Sequence, residues 1–222
     1  AQTLKLKDLL EGVGVIAVNA DQERDISGIY YDSRQVQPGG MFVAIPGFKE
    51  DGSVYIGKAV EAGAAVIVSE KPCSPGVDTV VVEDARGALS RISANFYGRP
   101  SEQMTIIGVT GTSGKTTTAY LIKDLIERCL GEKCGLIGTV EVIIGDETAE
   151  ASRTTPESVE IQEIFRRMLG AGIRYAVMEV SSHALKLSRV ADVKYEVGVF
   201  TNLTLDHLDF HVTMEDYLES KT

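Results

Sequence analysis

Residues 105–118 read TIIGVTGTSGKTTT, and the fold turns on how this stretch has to be built. TIIGV (105–109) has the composition of a short buried strand. A Gly/Thr loop follows it, and a helix is predicted from about Lys115 to Leu130. Small residues let the backbone N–H groups of Gly111, Thr112, Ser113, Gly114 and Lys115 turn inward around phosphate oxygens, and the helix N-terminus adds a favourable dipole. Lys115 would then reach the β- and γ-phosphates, and the Thr116 hydroxyl would ligate Mg²⁺. The strict pattern G-x-x-x-x-G-K-[ST] wants glycine at 109, where this chain has valine. The strand–loop–helix setting carries the reading instead; the competing one is a glycine-rich turn with a solvated lysine.

On the C-terminal side the alternation continues. CGLIGTV (134–140), a helix from Pro156 to about Gly170, YAVMEV (175–180) and EVGVFT (196–201) follow in order. Short apolar strands separated by helices predict a mostly parallel sheet covered on both faces, with ligands at the carboxyl ends of the strands. On the N-terminal side, residues 1–100 read as a separate α/β unit. ISGIYYDSR (26–34) and MFVAI (41–45) are strand-like around the turn VQPGG, SVYIGKAVEAGA (53–64) is helical, and AAVIVSE (64–70) and DTVVVED (78–84) are buried strands. Asp84 is placed to cap a helix over ARGALSRISANFYG, and GRPSEQ (98–103) is a linker. The expected domains are 1–100 and 101–222. EDYLESKT reads as the inside of a helix, so the chain is expected to be a fragment of a longer protein.

Composition bounds the function class. With 32 acidic against 22 basic residues and a net charge of −10, the overall balance argues against a nucleic-acid binder, which usually shows a basic face. No apolar run reaches the roughly 18 residues of a membrane helix, and the N-terminus has no signal-peptide core. Cys73, Cys129 and Cys134 form neither a CxxC nor an even framework, which points to a reduced cytoplasm.

Two further stretches carry chemistry. MEVSSHA (178–184) ends an apolar strand with a carboxylate and two hydroxyls. Glu179 could be a hard oxygen ligand for Mg²⁺ beside the phosphate loop, or a surface residue followed by Ser181 as a helix cap. TNLTLDHLDFH (201–211) gathers Asp206, His207, Asp209 and His211 in six residues. The i, i+4 histidines would suit zinc on a helix, but there is no HExxH and no nearby cysteine, so Mg²⁺ beside a nucleotide is better supported. The alternative is a capped turn with surface histidines.

Taken together, DSRQVQPGGMFVAIPG with DGSVYI, then GVTGTSGKTTT, TTPES, MEVSSHAL, FTNLTLDHLDFH and YLESK resemble the Mur ligase family, in the family's order along nearly the whole chain. The pattern is most similar to the branch that adds the third, diamino acid residue to UDP-MurNAc-L-Ala-D-Glu in peptidoglycan synthesis. The resemblance implies a UDP-sugar-binding first domain and the first part of an ATPase domain, with the C-terminal ligase domain absent. It implies ATP and Mg²⁺ as cofactors and UDP-MurNAc-dipeptide and a diamino acid as substrates, in a cytoplasmic monomer. ATP would phosphorylate the D-glutamyl carboxylate, and the incoming amine would attack the acyl phosphate. Lys115, Glu179, His207 and Lys221 are the implied catalytic set, and Lys115 with the loop from Gly111 to Thr117 would hold ATP. Thr116 and Glu179 would hold one Mg²⁺; His207 and Lys221, the latter as a carbamate, would attend a second. Tyr31, Ser33 and the segment 48–50 are the implied uridine side, and Thr154, Thr155, Ser181 and Arg189 the muramoyl-dipeptide side. Arg153 and Leu187 stand where one form of the family pattern has asparagine and glutamine. The rivals are another Mur-type ligase, such as the one adding D-Ala-D-Ala, and a non-catalytic nucleotide- or UDP-sugar-binding module. The 222-residue chain alone is expected to show little ligase activity.

Overall fold

The structure, a computed structural model, describes residues 2–47, 52–151 and 155–203. The chain divides into two compact units, 1–98 and 99–222.

The first unit is built on a five-stranded sheet. In chain order it contains β1 (Leu4–Lys5), α1 (Leu6–Leu9), β2 (Val15–Asn19), β3 (Asp25–Ile26), β4 (Ile29–Tyr30), β5 (Met41–Val43), α2 (Ile56–Glu61), β6 (Val66–Ser69), β7 (Thr79–Val82) and α3 (Ala85–Phe96). The sheet order is β2-β7-β6-β5-β4, parallel except for the antiparallel edge strand β2; β1 and β3 form a separate antiparallel pair. All four residues of β6 are buried, as a central strand covered on both faces requires. Asp84 caps α3 by accepting from the Arg86 N–H at 3.1 Å.

The strand expected over 26–34 is cut to two residues at 29–30. The reason is local: Asp32 accepts from the Arg34 backbone N–H at 3.0 Å and pairs with the Arg34 guanidinium at 2.7 Å, which turns the chain away from the sheet. The pairing holds the Asp32 carboxyl below its usual range.

The second unit holds β8 (Thr105–Thr110), α4 (Lys115–Leu125), β9 (Cys134–Ile137), β10 (Glu141–Ile144), β11 (Glu147–Glu150), α5 (Ser158–Gly170), β12 (Tyr175–Glu179), α6 (Ser182–Lys186) and β13 (Val197–Phe200). Its sheet runs β11-β10-β9-β12-β8-β13. The pairings among β9, β12, β8 and β13 are parallel, and β10 and β11 add an antiparallel hairpin at one edge. Alternate residues of the strands feed two cores. Ile106, Ala176 and Met178 meet Ile161, Phe165 and Met168 of α5, spaced i, i+4, i+7. Val109, Leu136 and Val177 meet Ala119 and Ile126 on the other face, beneath α4. Each fully buried side chain of the size of Phe165 contributes about 1.5–3 kcal/mol, so the two helices clamp the sheet that carries the phosphate loop.

Two helix boundaries need correcting. The helix from Lys115 is α-helical only to Leu125; residues 126–130 form one π turn that closes on Gly131 at φ 67°. The helix expected from Pro156 begins at Ser158. GRPSEQ spans the division between the two units, as expected of a linker, and within it Pro100–Gln103 is a 3₁₀ turn with Pro100 and Ser101 buried, the Ser101 hydroxyl accepting from the Lys194 N–H at 3.0 Å. Among the described residues no helix is long and apolar enough to cross a membrane.

Candidate functional site

The loop after β8 lies between the carboxyl ends of its two parallel neighbours, β12 and β13. On the β12 side, the Val180 N–H donates to Val109 O at 2.8 Å and the Thr110 hydroxyl donates to Val180 O at 2.8 Å. On the β13 side, Thr201 and Asn202 pack against the loop. The Thr201 hydroxyl donates to Ser113 O at 2.7 Å, the Ser113 N–H donates to Asn202 Oδ1 at 3.0 Å, and the Thr112 N–H donates to Asn202 O at 3.0 Å. Gly111 has φ 143°, and a Cβ there would sit 1.9 Å from Thr201 Oγ1, so only glycine fits. The Lys115 ammonium is folded onto the loop, donating to Gly111 O at 2.8 Å and Thr112 O at 3.4 Å. Burial pulls its pKa below the ordinary lysine value, and the charge of Glu179 opposes that shift.

Glu179 ends β12 with a side chain that is fully buried, which removes the surface reading. Register and pleat explain the placement: Glu179 shares the face of Val177, which packs under α4, and α4 begins at Lys115. Its Oε1 accepts from the Thr116 hydroxyl at 2.8 Å and the Thr139 hydroxyl at 3.0 Å, while Oε2 accepts from the Thr139 N–H at 2.7 Å. Around the same strand end, the Thr155 hydroxyl donates to Glu179 O at 3.0 Å and accepts from the Ser181 N–H at 3.0 Å. Ser181 caps the short α6, accepting from the Ala184 N–H at 3.1 Å. Arg189 donates to Thr155 O at 3.3 Å, and its Nε lies 2.9 Å from Glu157 Oε1 in a mostly buried ion pair.

The fold therefore brings Lys115, Thr116, Glu179, Thr155, Ser181 and Arg189 to the carboxyl ends of β8 and β12. In the first unit, Ser33 is buried and Tyr31 half-buried at the Asp32 turn that follows β4. His207, Lys221, Asp206, Asp209, His211, Thr154, Arg153 and the 48–50 segment lie outside the described residues. Among the described residues no group of three or more His, Cys, Asp or Glu side chains could hold a metal ion.

A family model described as the Mur ligase middle domain matches residues 109–222, just over half of the chain. The chain belongs to the Mur ligase family. A second model, described as the Mur ligase family catalytic domain, matches residues 25–97 of this Mur ligase chain. Curated UDP-N-acetylmuramoyl-L-alanyl-D-glutamate–2,6-diaminopimelate ligases are similar to it over nearly all its length. That of Caldanaerobacter subterraneus is 46% identical over 99% of this chain and 45% of its own length. That of Alkaliphilus metalliredigens is 47% identical over 98% of this chain and 44% of its own length. A solved structure of a ligase of the same description superposes with TM-score 0.83 at 28% identity, covering 99% of this chain and 44% of that one. MurF from Acinetobacter baumannii shares the fold with TM-score 0.66 at 21% identity, covering 99% of this chain and 45% of its own. This Mur ligase chain thus spans somewhat under half the length of the curated relatives it matches.

Reading the sequence missed four groups that pack around this candidate site: Thr139, Asn202, Glu157 and Glu141. Thr139 and Asn202 sit just past the carboxyl ends of β9 and β13, where ligand-facing residues of a parallel sheet collect. That position was the available signal. Glu157 and Glu141 carried none, because their partners Arg189 and Tyr120 are tertiary neighbours.

Proposed function

We propose that this chain is the UDP-sugar- and nucleotide-binding part of an ATP-dependent ligase that adds a diamino acid to the D-glutamyl residue of UDP-MurNAc-L-Ala-D-Glu. The observation that carries it is the Thr116 hydroxyl set 2.8 Å from the buried Glu179 carboxylate at the opening of a helix that also presents Lys115. Identity of 46–47% to diaminopimelate ligases along nearly the whole chain supports the substrate class.

The donor set fits Mg²⁺. Both groups are hard oxygens, and neighbouring ligands in an octahedral shell at about 2.0–2.1 Å from the ion lie about 2.9 Å apart, close to the separation observed. Thr116 and Glu179 would hold the ion, which supplies neutralisation of phosphate charge when bound; His207 and Lys221, as a carbamate, belong to a second such position. Lys115 would leave the Gly111 and Thr112 carbonyls to pair with the phosphates, an exchange favoured by its half-buried charge. The N–H groups of residues 114–117 would take phosphate oxygens, whereas those of Thr112 and Ser113, expected from the sequence to do the same, are held by Asn202. The γ-phosphoryl group passes to a D-glutamyl carboxylate oxygen and ADP leaves; the amine then attacks the acyl carbon, loses a proton, and phosphate departs with the new amide formed. Most of the protein's work is positioning and charge stabilisation. Ser181, Arg189, Thr154 and Thr155 would face the muramoyl-dipeptide, and Ser33 and Tyr31 the uridine. We further infer a cytoplasmic monomer that binds neither nucleic acid nor membrane.

The test is phosphate release by the protein at the full length of its relatives, given UDP-MurNAc-L-Ala-D-Glu, ATP and Mg²⁺ with lysine or meso-diaminopimelate. Release that needs both the dipeptide and one diamino acid is expected. Release with D-Ala-D-Ala as the only acceptor, or none with either diamino acid, overturns the reading.

A further inference from the structure

We propose that Thr139, in the turn between β9 and β10, is a positioning residue that aims Glu179 at a divalent cation. The inference rests on the nucleotide-site reading above and assigns a role to the antiparallel hairpin that edges the sheet. A buried carboxylate with free torsions would present its oxygens in several orientations, so something must select one. Thr139 contacts both oxygens, its N–H holding Oε2 at 2.7 Å and its hydroxyl holding Oε1 at 3.0 Å. Two points fix the carboxylate plane, and the oxygen facing Thr116 is the one Thr139's side chain grips. Gly138 keeps the space open, because a Cβ there would come within 2.8 Å of Glu179 Oε2.

The turn is itself braced. The Gly138 N–H donates to Glu141 O at 3.0 Å, and the Ala151 N–H donates to Val140 O at 2.9 Å, tying both hairpin strands to it. The Tyr120 hydroxyl donates to the Glu141 carboxylate. Tyr120 lies one helical turn beyond Thr116 on α4, so one helix supplies both a candidate ligand and the brace for the group that aims the other.

The experiment measures ADP binding to the 222-residue chain by calorimetry, without metal and across a MgCl₂ titration. For Thr139→Val we expect metal-free ADP affinity within about twofold of wild type and a Mg²⁺ requirement raised by about tenfold, the lower end of what second-layer partners control. Thr139→Ser should restore the wild-type titration, because it returns the hydroxyl. Tyr120→Phe, which releases only the brace, should raise the Mg²⁺ requirement less than Thr139→Val. If Thr139→Val does not melt cooperatively, the serine and phenylalanine variants carry the comparison. A wild-type Mg²⁺ titration in Thr139→Val or, failing that variant, in Tyr120→Phe overturns the inference, as does a serine variant that shows the raised requirement. ADP binding by wild type that ignores Mg²⁺ altogether would instead overturn the metal reading on which the inference stands.

Discussion

Gly111→Ala is the sharpest perturbation of the phosphate loop. The added Cβ meets Thr201 Oγ1 at 1.9 Å and the Asn202 backbone nitrogen at 3.1 Å, in a backbone at φ 143° that L residues rarely adopt. Two separate costs follow: about 1–3 kcal/mol for holding alanine in a sparsely populated conformation, and about 1–3 kcal/mol for forced overpacking. The sum, roughly 2–6 kcal/mol, falls on the junction between the loop and the end of β13. Urea unfolding of Gly111→Ala, Thr201→Ala and the double variant separates the terms. Thr201→Ala alone should lose about 1 kcal/mol with its hydrogen bond to Ser113 O. In the double variant the clashing oxygen is gone, so most of the packing cost should be relieved, while the 3.1 Å approach to the Asn202 nitrogen and the conformational cost remain. A coupling of about 1–3 kcal/mol between the two sites is therefore expected. Additive losses, or a Gly111→Ala cost under about 0.5 kcal/mol, would refute the packing of β13 onto the loop.

Other outcomes can be measured independently. The exposed Cys129 should react with a thiol reagent in the folded chain at pH 8, whereas Cys134, buried and pushed up to about 12, should react only on unfolding. Because burial raises that thiol above its ordinary value of 9.0, the folded chain retains the proton that the unfolded chain loses. Stability should therefore fall between about pH 9 and pH 12, and Cys134→Ala should remove that part of the slope. Lys115 behaves oppositely, since burial lowers its pKa: its charge penalises the folded state below that pKa, and the penalty is relieved as pH rises toward 10.5. In the full-length protein, Lys221→Ala is expected to be inactive and partly restored by short carboxylates; activity close to wild type rejects the carbamate role.

Much of the second unit was legible because its strands are apolar and its loop is chemically peculiar. β8, β9, β12 and β13 follow from apolar runs, and Glu179 follows from the acid that ends one of them. The β10–β11 hairpin was not read, although Gly145-Asp146 is a two-residue hairpin turn. Its outer strand ETAE is wholly exposed, so no apolar alternation marks it. In the first unit, apolar β6 and β7 were plain, whereas ISGIYYDSR was read too long because the Asp32–Arg34 pairing bends it through side-chain contacts that periodicity does not register. The same limit applies at the site. Lys115 and Thr116 belong to a local motif, while the groups that hold Glu179 come from another turn 40 residues away.

The most direct measurement is calorimetric titration of ATP with Mg²⁺ into the 222-residue chain and its Lys115→Ala variant. The wild-type chain should bind, and the variant should lose about 10- to 150-fold in affinity, from the ~1.5–3 kcal/mol of a hydrogen bond between charged groups. Folding of the variant, checked by its melting transition, should be retained. Equal nucleotide affinity in the two proteins would contradict the assignment of residues 111–117 as a phosphate loop, and with it the ligase reading built on that loop.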